Sequence, residues 1–368
     1  MAGFPFMKQA EAFRSSSPFI LLLSVFILPC PMSAAAKPRP AIAFVHLLLP
    51  PAGAPHASPA GWIGSLDRAR DTLESLRIPT IVSSTSPRNA EDLNELSEMD
   101  PEVLITTSPL LYAAACDVAK RSPNTVFFAC TDETVHDNMS GFQARTYEAP
   151  YLAGLIAGAL AEDGVLGYLA NDPYQSKASR LRNANAFALG AQKSKAAIRV
   201  LYAPGNDPDE ELKTLIAAGA DIVDLERALP SLVERLREHS VRYVGTAGRT
   251  VDPLCLAAPE WEWSNAFGDL LTQVRFGIWR PRNVSYGIKE GVVGLSPFGP
   301  AVPETVRVRV REAKEAIRNG ASPFEGPVRD VSGSLRIAEG SVPDDATLRG
   351  MDWRVQGLEP LPLTPDGL

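Results

Sequence analysis

The chain has 368 residues, of which 45% are hydrophobic and 21% charged, and this composition excludes a disordered or fibrous protein. Its formal net charge of −7 argues against a nucleic-acid partner, which would call for a basic surface. Only four Cys and four His are present, and they are scattered, so we predict no metal site and no cofactor. The length suits two lobes of ordinary size.

Residues 1–36 have the features of a cleavable signal peptide. A basic start precedes an apolar run over 18–28, and an Ala-x-Ala cleavage site follows at 34–36. The apolar run is shorter than the ~17–25 residues that a spanning helix needs. We therefore predict export to the periplasm with cleavage after about Ala36. A lipid anchor at Cys30 is the alternative, which Pro29 disfavours because a small residue is needed at that place.

Three cysteines remain after the predicted cleavage, namely Cys116, Cys130 and Cys255. Cys116 lies in an apolar helical run and Cys130 ends an apolar strand, so both are interpreted as small core residues. In an oxidising compartment a Cys116–Cys130 disulfide is the other interpretation.

Strand-like and helix-like stretches alternate from Lys37 to Cys130. The predicted strands are 41–48, 79–83, 103–106 and 124–130, and the predicted helices are 62–76, 90–99 and 109–120. Such alternation is typical of a parallel sheet with helices on both faces.

A second series of the same kind follows and predicts a second doubly wound unit. Its strands are 165–170, 198–202, 221–225 and 241–244, and its helices are 150–161, 178–194, 207–217 and 229–239. Beyond residue 250 we predict a helix over 260–278, a strand over 292–295 and a helix over 303–319. The alternation of Val306–Val310 is also compatible with a strand. Two such units in tandem predict two lobes with a cleft, and ligands of such sheets bind beyond the carboxyl ends of the strands.

The usual catalytic motifs are absent from the sequence. It contains no Walker-type phosphate loop, no G-x-G-x-x-G after the first strand and no G-x-S-x-G nucleophile elbow. His46 ends the first predicted strand, where it is able to face the cleft, but a lone histidine is more often structural. We therefore predict that the protein is not an enzyme.

Aromatic and polar residues at the ends of predicted elements are the better candidates for function: Trp62, Asn138, Phe187, Trp261, Trp263 and Lys289. A binding cleft needs flat apolar faces and a few oriented polar groups. Phe187 and Trp261 also fit core packing. Trp62 opens a helix just after the first strand, at the edge of the sheet where ligands bind.

An ordered series of motifs resembles the basic membrane protein (BMP) family, the PnrA-like substrate-binding proteins of ABC importers. The motifs are Arg145–Gly158, Gly164–Tyr168, Arg182–Ala191, Gly219–Val223, Gly277–Trp279, Gly287–Val293, Pro323–Val328 and Leu348–Gly357. They keep their order over most of the predicted mature chain. The resemblance implies an α/β, type I periplasmic-binding-protein fold with two lobes, each a doubly wound parallel sheet with flanking helices.

The resemblance also implies ligand-binding residues. It makes Phe187 a candidate ring for stacking on a ligand, with Asn185 beside it, and Lys289 a candidate donor to a ring or sugar oxygen. Asn138 stands where the family often places a polar contact. The small residues Gly154 and Gly158 lie on one face of a helix and predict its close approach to the sheet.

The sequence departs from the nucleoside-binding members of the family at two places. Those members carry an acidic residue after the first strand and another after the strand that ends here at Val244, where two carboxylates clamp ribose hydroxyls. Neither 45–50 nor 245–250 contains an acid, although Asp132 is a possible substitute. Arg249 favours an anionic or carbonyl-rich ligand, unless it is a solvated loop residue.

The sequence therefore predicts a periplasmic solute-binding protein that delivers a small, polar, ring-containing solute, such as a purine base or a nucleoside-like compound, to an ABC permease in the inner membrane. The expected ligand-binding residues are Trp62, Asp132, Asn138, Asn185, Phe187, Arg249 and Lys289. The expected lobes are 37–147 with about 253–282, and 148–252 with about 283–368. A monomer is expected. The alternative is a sensor module that signals to a membrane receptor.

Overall fold

The computed structural model describes residues 40–47, 61–85, 91–131, 133, 136–173, 175–245 and 252–362. The predicted signal peptide with Cys30 lies outside the described residues, as do Asp132 and Arg249. Within the described part of the chain, no helix combines the length and the apolar character that crossing a bilayer requires.

Strands and helices alternate over most of the described chain. In chain order the strands are β1 (Ile42–Leu47), β2 (Thr80–Thr85), β3 (Val103–Thr106), β4 (Val126–Cys130), β5 (Met139–Ala144), β6 (Val165–Leu169), β7 (Arg199–Ala203), β8 (Ile222–Leu225), β9 (Arg242–Gly245), β10 (Cys255–Ala257), β11 (Pro259–Trp261), β12 (Asn283–Tyr286), β13 (Val293–Leu295), β14 (Val328–Arg329), β15 (Leu335–Ile337) and β16 (Leu358–Pro360). The helices are α1 (Gly61–Ser75), α2 (Glu91–Glu98), α3 (Tyr112–Ala119), α4 (Glu148–Leu160), α5 (Lys177–Ser194), α6 (Pro208–Ala217), α7 (Pro230–Glu238), α8 (Ser264–Arg275), α9 (Glu304–Arg318) and α10 (Asp345–Arg349).

The first sheet consists of six parallel strands in the order β12-β5-β4-β3-β1-β2. Strands β1 and β3 are buried along their whole length, because both faces of the sheet are covered. Successive residues of β4 point to opposite faces, so Phe127 and Phe128 belong to separate hydrophobic clusters.

The second sheet also has six parallel strands, in the order β10-β9-β8-β6-β7-β16. Its edge strand β16 comes from the end of the chain and pairs with β7, with Leu358 opposite Val200. The two doubly wound parallel sheets with flanking helices confirm the predicted fold class.

The predicted elements of both series are present within the described residues, with ends that shift by a few residues. The helix predicted over 260–278 is wrong in its first part. There Pro259–Trp261 pairs antiparallel with Val293–Leu295, and the Glu262 carboxylate then accepts the Ser264 N–H, which starts α8. The stretch 303–319 is helical, so its interpretation as a strand is wrong.

The chain passes between the two sheets three times: after β5, between β10 and β12, and after β12. Strand β10 belongs to the second sheet and β12 to the first. The exact division of the chain into lobes stays a prediction. It depends most on the lobes to which β10 and β12 are assigned. The second and third connections also pair with each other through β11 and β13.

An aromatic core lies under the first sheet. Phe128 and Phe142 stack at 4.5 Å between ring centroids, and Trp263 stacks on Phe267 at 5.6 Å. Phe142 and Trp263 meet edge to face at 5.3 Å, which links the sheet to the start of α8. Such edge and offset contacts add to the gain from burying the rings.

Helices α4 and α5 are in very close contact, and glycines make this possible. A methyl group at Gly154 would overlap the carbonyl oxygen of Phe187, and one at Gly158 would overlap the backbone of Ala191. From α5, Gly190 approaches the Tyr151 carbonyl in the same way. The sequence predicted a close approach to a sheet, but the partner is the neighbouring helix.

None of the described cysteines Cys116, Cys130 and Cys255 forms a disulfide. Cys116 and Cys130 belong to hydrophobic clusters on opposite faces of the first sheet. The sheet therefore separates the two sulfur atoms, and the alternative of a Cys116–Cys130 disulfide is wrong.

Candidate functional site

The carboxyl ends of β1 and β3 carry a small polar network. His46 Nε2 lies 3.2 Å from Asp67 Oδ1 on α1, and His46 Nδ1 lies 3.3 Å from Thr107 Oγ1. The Thr107 hydroxyl in turn donates to Val45 O at 3.1 Å. Burial on its own raises the pKa of Asp67, but the hydrogen bond and charge of His46, with the charge of Arg70, outweigh it and hold this pKa below its ordinary value.

Trp62 lies beside this network, in the first turn of α1. Its Nε1–H donates to Thr107 O at 2.8 Å, so the end of β3 fixes the orientation of the indole. The ring is stacked on Phe142 at 6.4 Å and meets Trp263 edge to face at 5.2 Å. The residue is only partly buried, so it provides an aromatic surface at the edge where the sequence predicted a ligand contact.

The carboxyl ends of β6 and β8 carry a second polar group. Asn171 links the two ends, since its Nδ2 donates to Arg227 O at 2.9 Å and its Oδ1 accepts the Arg227 N–H at 2.8 Å. The Tyr168 hydroxyl donates to Glu226 Oε1 at 3.0 Å, and Glu226 Oε2 accepts the Asp172 N–H at 3.2 Å. The result is a rigid, acidic edge with buried side chains.

Asp224 is the least satisfied carboxyl group of this edge. It is 2% exposed, lies opposite Tyr168 in the sheet, and its Oδ2 has no hydrogen-bond partner. Burial raises the pKa of Asp224 to about 8. Burial, and next the Asp172 carboxylate, raise the pKa of Glu226 to about 8, although Tyr168 and the Asp172 N–H partly offset them.

The raised pKa of Asp224 predicts a pH dependence of stability. The unfolded chain ionises this carboxyl near pH 4, whereas the folded chain holds its proton to about pH 8. Its contribution to stability is therefore fully present below pH 4 and is lost as the pH rises toward 8. In urea unfolding, Asp224→Asn should be more stable than the wild type at pH 8, with a smaller change between pH 5 and pH 8. An unchanged pH profile would contradict this assignment.

A third polar network lies where the chain leaves the first sheet. Arg145, just after β5, donates from Nε to Glu148 Oε1 at 2.7 Å and from Nη2 to Glu290 Oε2 at 2.5 Å. Glu148 Oε2 also accepts the Ile288 N–H at 2.6 Å. These bonds tie the connection after β5 to the connection after β12. Lys289 lies in this same turn, exposed to solvent.

The structure does not bring all the predicted ligand-binding residues together. Trp62 lies at a carboxyl edge, and Lys289 lies at the connection between the sheets. Asn138 lies at the amino end of β5, where its Nδ2 contacts the carbonyl oxygens of Ala119, Ser122 and Thr125 at 3.0–3.1 Å. There it closes the loop between α3 and β4. Its role toward a ligand stays a prediction.

Asn185 and Phe187 are both fully buried on α5. Phe187 packs on Tyr168, with 5.6 Å between the ring centroids. Asn185 donates to Trp353 O at 2.8 Å and accepts the Val355 N–H at 2.9 Å. Through these contacts both residues stabilise the packed protein, and their roles toward a ligand stay predictions.

Replacing Asn185 by alanine should measurably lower the stability of the protein. Asn185→Ala leaves the buried Val355 N–H and Trp353 carbonyl without partners, at about 1–3 kcal/mol for each group. We expect a lower urea midpoint and faster proteolysis near the C-terminal segment. Asn206→Ala, at an exposed position, is the matched control and should behave as the wild type. Equal midpoints for the two variants would contradict the assigned role.

Sequence reasoning missed the acidic edge of the second sheet. It looked for acids after β1 and after β9, where the family's nucleoside-binding members have them, and not after β6 and β8. The signal was present, since Asp172 and Glu226 each come within three residues of the end of a buried strand. Polar residues at that place in a parallel sheet lie where ligands bind.

Two parallel sheets joined by three connections, with polar and aromatic side chains at their carboxyl ends, define the fold of the type I periplasmic binding proteins. An ABC transporter solute-binding protein of known structure from Conexibacter woesei has this fold, with a TM-score of 0.64 and 16% identity over 76% of this chain and 97% of its own. Residues 66–217 match the family of PnrA-like ABC transporter substrate-binding proteins. This match is to the same family that the motifs of the sequence resemble.

Two relatives of known name carry different ligand descriptions. A protein named purine-binding protein from Brucella abortus is 28% identical over 81% of this chain and 89% of its own length. A protein provisionally named ABC transporter glucose-binding protein TsgA13 from Haloferax volcanii is 28% identical over 77% of this chain and 78% of its own.

Proposed function

We propose that the protein is the periplasmic component of an ABC importer that binds a purine base or a nucleoside-like solute between its two lobes. The lobes close about the connections between the sheets, and the closed form is recognised by a permease in the inner membrane. The protein acts as a monomer, and it releases its ligand chemically unchanged.

The combination of a flat aromatic surface with fixed hydrogen-bonding groups carries the proposed ligand class. Trp62 provides the aromatic surface at the carboxyl edge of the first sheet. Asn171, Asp172 and Glu226 provide the polar groups at the carboxyl edge of the second. A small heteroaromatic ring has an apolar face and a polar rim, which match these two kinds of surface. The relative named as a purine-binding protein supports the same class.

Hinge closure is supported by the network around Arg145. The connections after β5 and after β12 are held together by Arg145, Glu148 and Glu290, so they are able to move as one unit. Hinges of this kind absorb backbone rotation at the ends of elements and leave both packed lobes intact.

A thermal-shift screen of the purified protein tests the proposed ligand class. The probes are adenine, hypoxanthine, adenosine, glucose and a mixture of amino acids. A ligand at a hundred times its dissociation constant stabilises the folded protein by about 2.7 kcal/mol, which gives a clear rise in melting temperature. We expect a purine base or nucleoside to give the largest rise. A rise with glucose alone would support the sugar instead, which is the second candidate because one relative is named as a glucose-binding protein.

Two further measurements separate transport from the other classes. Recovery of the bound compound without chemical change, in a one-to-one complex, is expected of a binding protein and contradicts an enzyme. Ligand-dependent binding to a neighbouring permease supports uptake, whereas ligand-dependent binding to a membrane receptor kinase supports the sensor alternative.

A further inference from the structure

Three carboxyl groups form what we call the acidic cluster: Asp172, Asp224 and Glu226. They lie at or near the carboxyl ends of β6 and β8 and are 1%, 2% and 8% exposed. Asp224 and Glu226 are two residues apart, and side chains of alternate residues in a strand point to the same face. Tyr168 lies opposite Asp224 in the sheet and bonds to Glu226, so it connects these two acids.

Three buried acids outside the acidic cluster differ from Asp224 because each has an arginine partner. Glu148 is bound by Arg145 at 2.7 Å, Asp252 by Arg237 at 2.8 Å, and Asp330 by Arg336 at 2.8 Å. Among the described residues, no ion pair or hydrogen bond reaches Asp224. The fold therefore provides an arginine partner for these three buried carboxyl groups but none for Asp224 on β8.

An unsatisfied buried carboxyl costs stability unless another group comes to satisfy it. Arg180 does not pair with Asp224: its Nη1 donates to the carbonyl oxygens of Ala170 and Pro204 at 2.9 and 3.0 Å, and its Nε has no hydrogen-bond partner. The position at the carboxyl edge of a parallel sheet is one where a ligand is able to supply the missing partner. When Asp224 is ionised, that partner has to donate hydrogen bonds or carry positive charge, because carboxylate oxygens only accept.

We propose that the acidic cluster binds a nitrogen group of the ligand, so that the protein prefers an amino-substituted ring to the same ring with a carbonyl at that place. This inference rests on the proposed function and narrows its ligand class. An exocyclic amino group supplies two N–H donors to Asp224 and Glu226. When Asp224 and Glu226 are ionised, as they become around pH 8, a carbonyl oxygen at the same place brings a lone pair against their carboxylate oxygens, which repels.

Adenine and hypoxanthine are the probes: adenine has an amino group at the 6-position and hypoxanthine a carbonyl, and the adjacent N1 is an acceptor in adenine and an N–H donor in hypoxanthine. Isothermal titration at pH 8 should give about 10- to 100-fold tighter binding of adenine by the wild type, the range for hydrogen bonds to charged groups. In Asp224→Asn the preference should fall below about threefold, because an amide also donates to a carbonyl. Asp117→Asn, at an exposed acid of α3, is the control and should keep the wild-type preference.

The outcomes separate this inference from the proposed function. If hypoxanthine binds the wild type as tightly as adenine, or if Asp224→Asn keeps the preference, the inference is overturned while purine binding stands. If neither purine binds, the purine proposal fails, and glucosamine against glucose becomes the test pair. Tighter binding of glucosamine, lost in Asp224→Asn, then supports the acidic cluster. If no amino compound of either pair binds, the inference is overturned as well.

Discussion

Replacing Phe187 by alanine should lower the free energy of unfolding by about 3–5 kcal/mol, the usual loss for removing a buried aromatic ring. Phe187 is 0% exposed and packs against Tyr168 in the core of the second lobe. The midpoint of urea unfolding measures this loss at a constant m-value. Phe276→Ala removes the same ring at a position that is 76% exposed, so it should leave the midpoint almost unchanged.

The same position also tests the role that the family resemblance implied. Phe187→Leu keeps most of the apolar volume, so the variant should fold with a smaller loss of stability. If Phe187 is only a core residue, this variant binds the ligand as the wild type does. A drop in affinity of tenfold or more, without a matching loss of stability, would instead place the ring in the ligand site.

Replacing Gly154 by alanine should destabilise the protein by about 3 kcal/mol, at the upper end for an overpacked core site. The new methyl group would overlap the carbonyl oxygen of Phe187, which belongs to the backbone of α5 and has no room to rotate away. Helices α4 and α5 would have to separate, and the packing around Gly158 and Gly190 would open with them.

Gly268→Ala is the matched control for Gly154→Ala. Gly268 is also a helical glycine, but a methyl group added there meets nothing within 4 Å. Alanine is the better helix former, so this variant should gain about 0.5–1 kcal/mol. Calorimetric melting of the two variants should give shifts of opposite sign. Two shifts of the same sign would show that the α4–α5 contact is not as tight as described.

The alternation of apolar strands and amphipathic helices predicted most of the two sheets, because buried parallel strands are continuous apolar runs. It did not predict β5, β10, β12 and β16, which are short, polar or interrupted by proline. Gly141, for example, weakens any strand pattern over β5, yet its lack of a side chain makes room for Asn283 of the neighbouring strand. These strands form because a partner strand with free backbone groups is already in place.

The sequence predicted only the part of the candidate site that depends on local position along the chain. Trp62 was found because its position after the first strand is a local property of the sequence. Asn138 meets three carbonyl oxygens that come from α3 and the loop after it, and such convergence depends on tertiary structure. The acidic edge was within reach of sequence reasoning, since Glu226 directly follows an apolar strand. The lack of a hydrogen-bond partner at Asp224 Oδ2 could not be predicted from the sequence, because it is visible only in the packed protein.

The strands β12 and β16 are synthesised long after the strands with which they pair. The first sheet is completed only when β12 at Asn283–Tyr286 is made, and the second only when β16 at Leu358–Pro360 is made. Until then β5 and β7 are the edge strands of their sheets, and their free backbone donors and acceptors are a place where another chain is able to add. A translation product interrupted before residue 283 therefore exposes β5 and β7, which are internal strands of the finished sheets, at its edges.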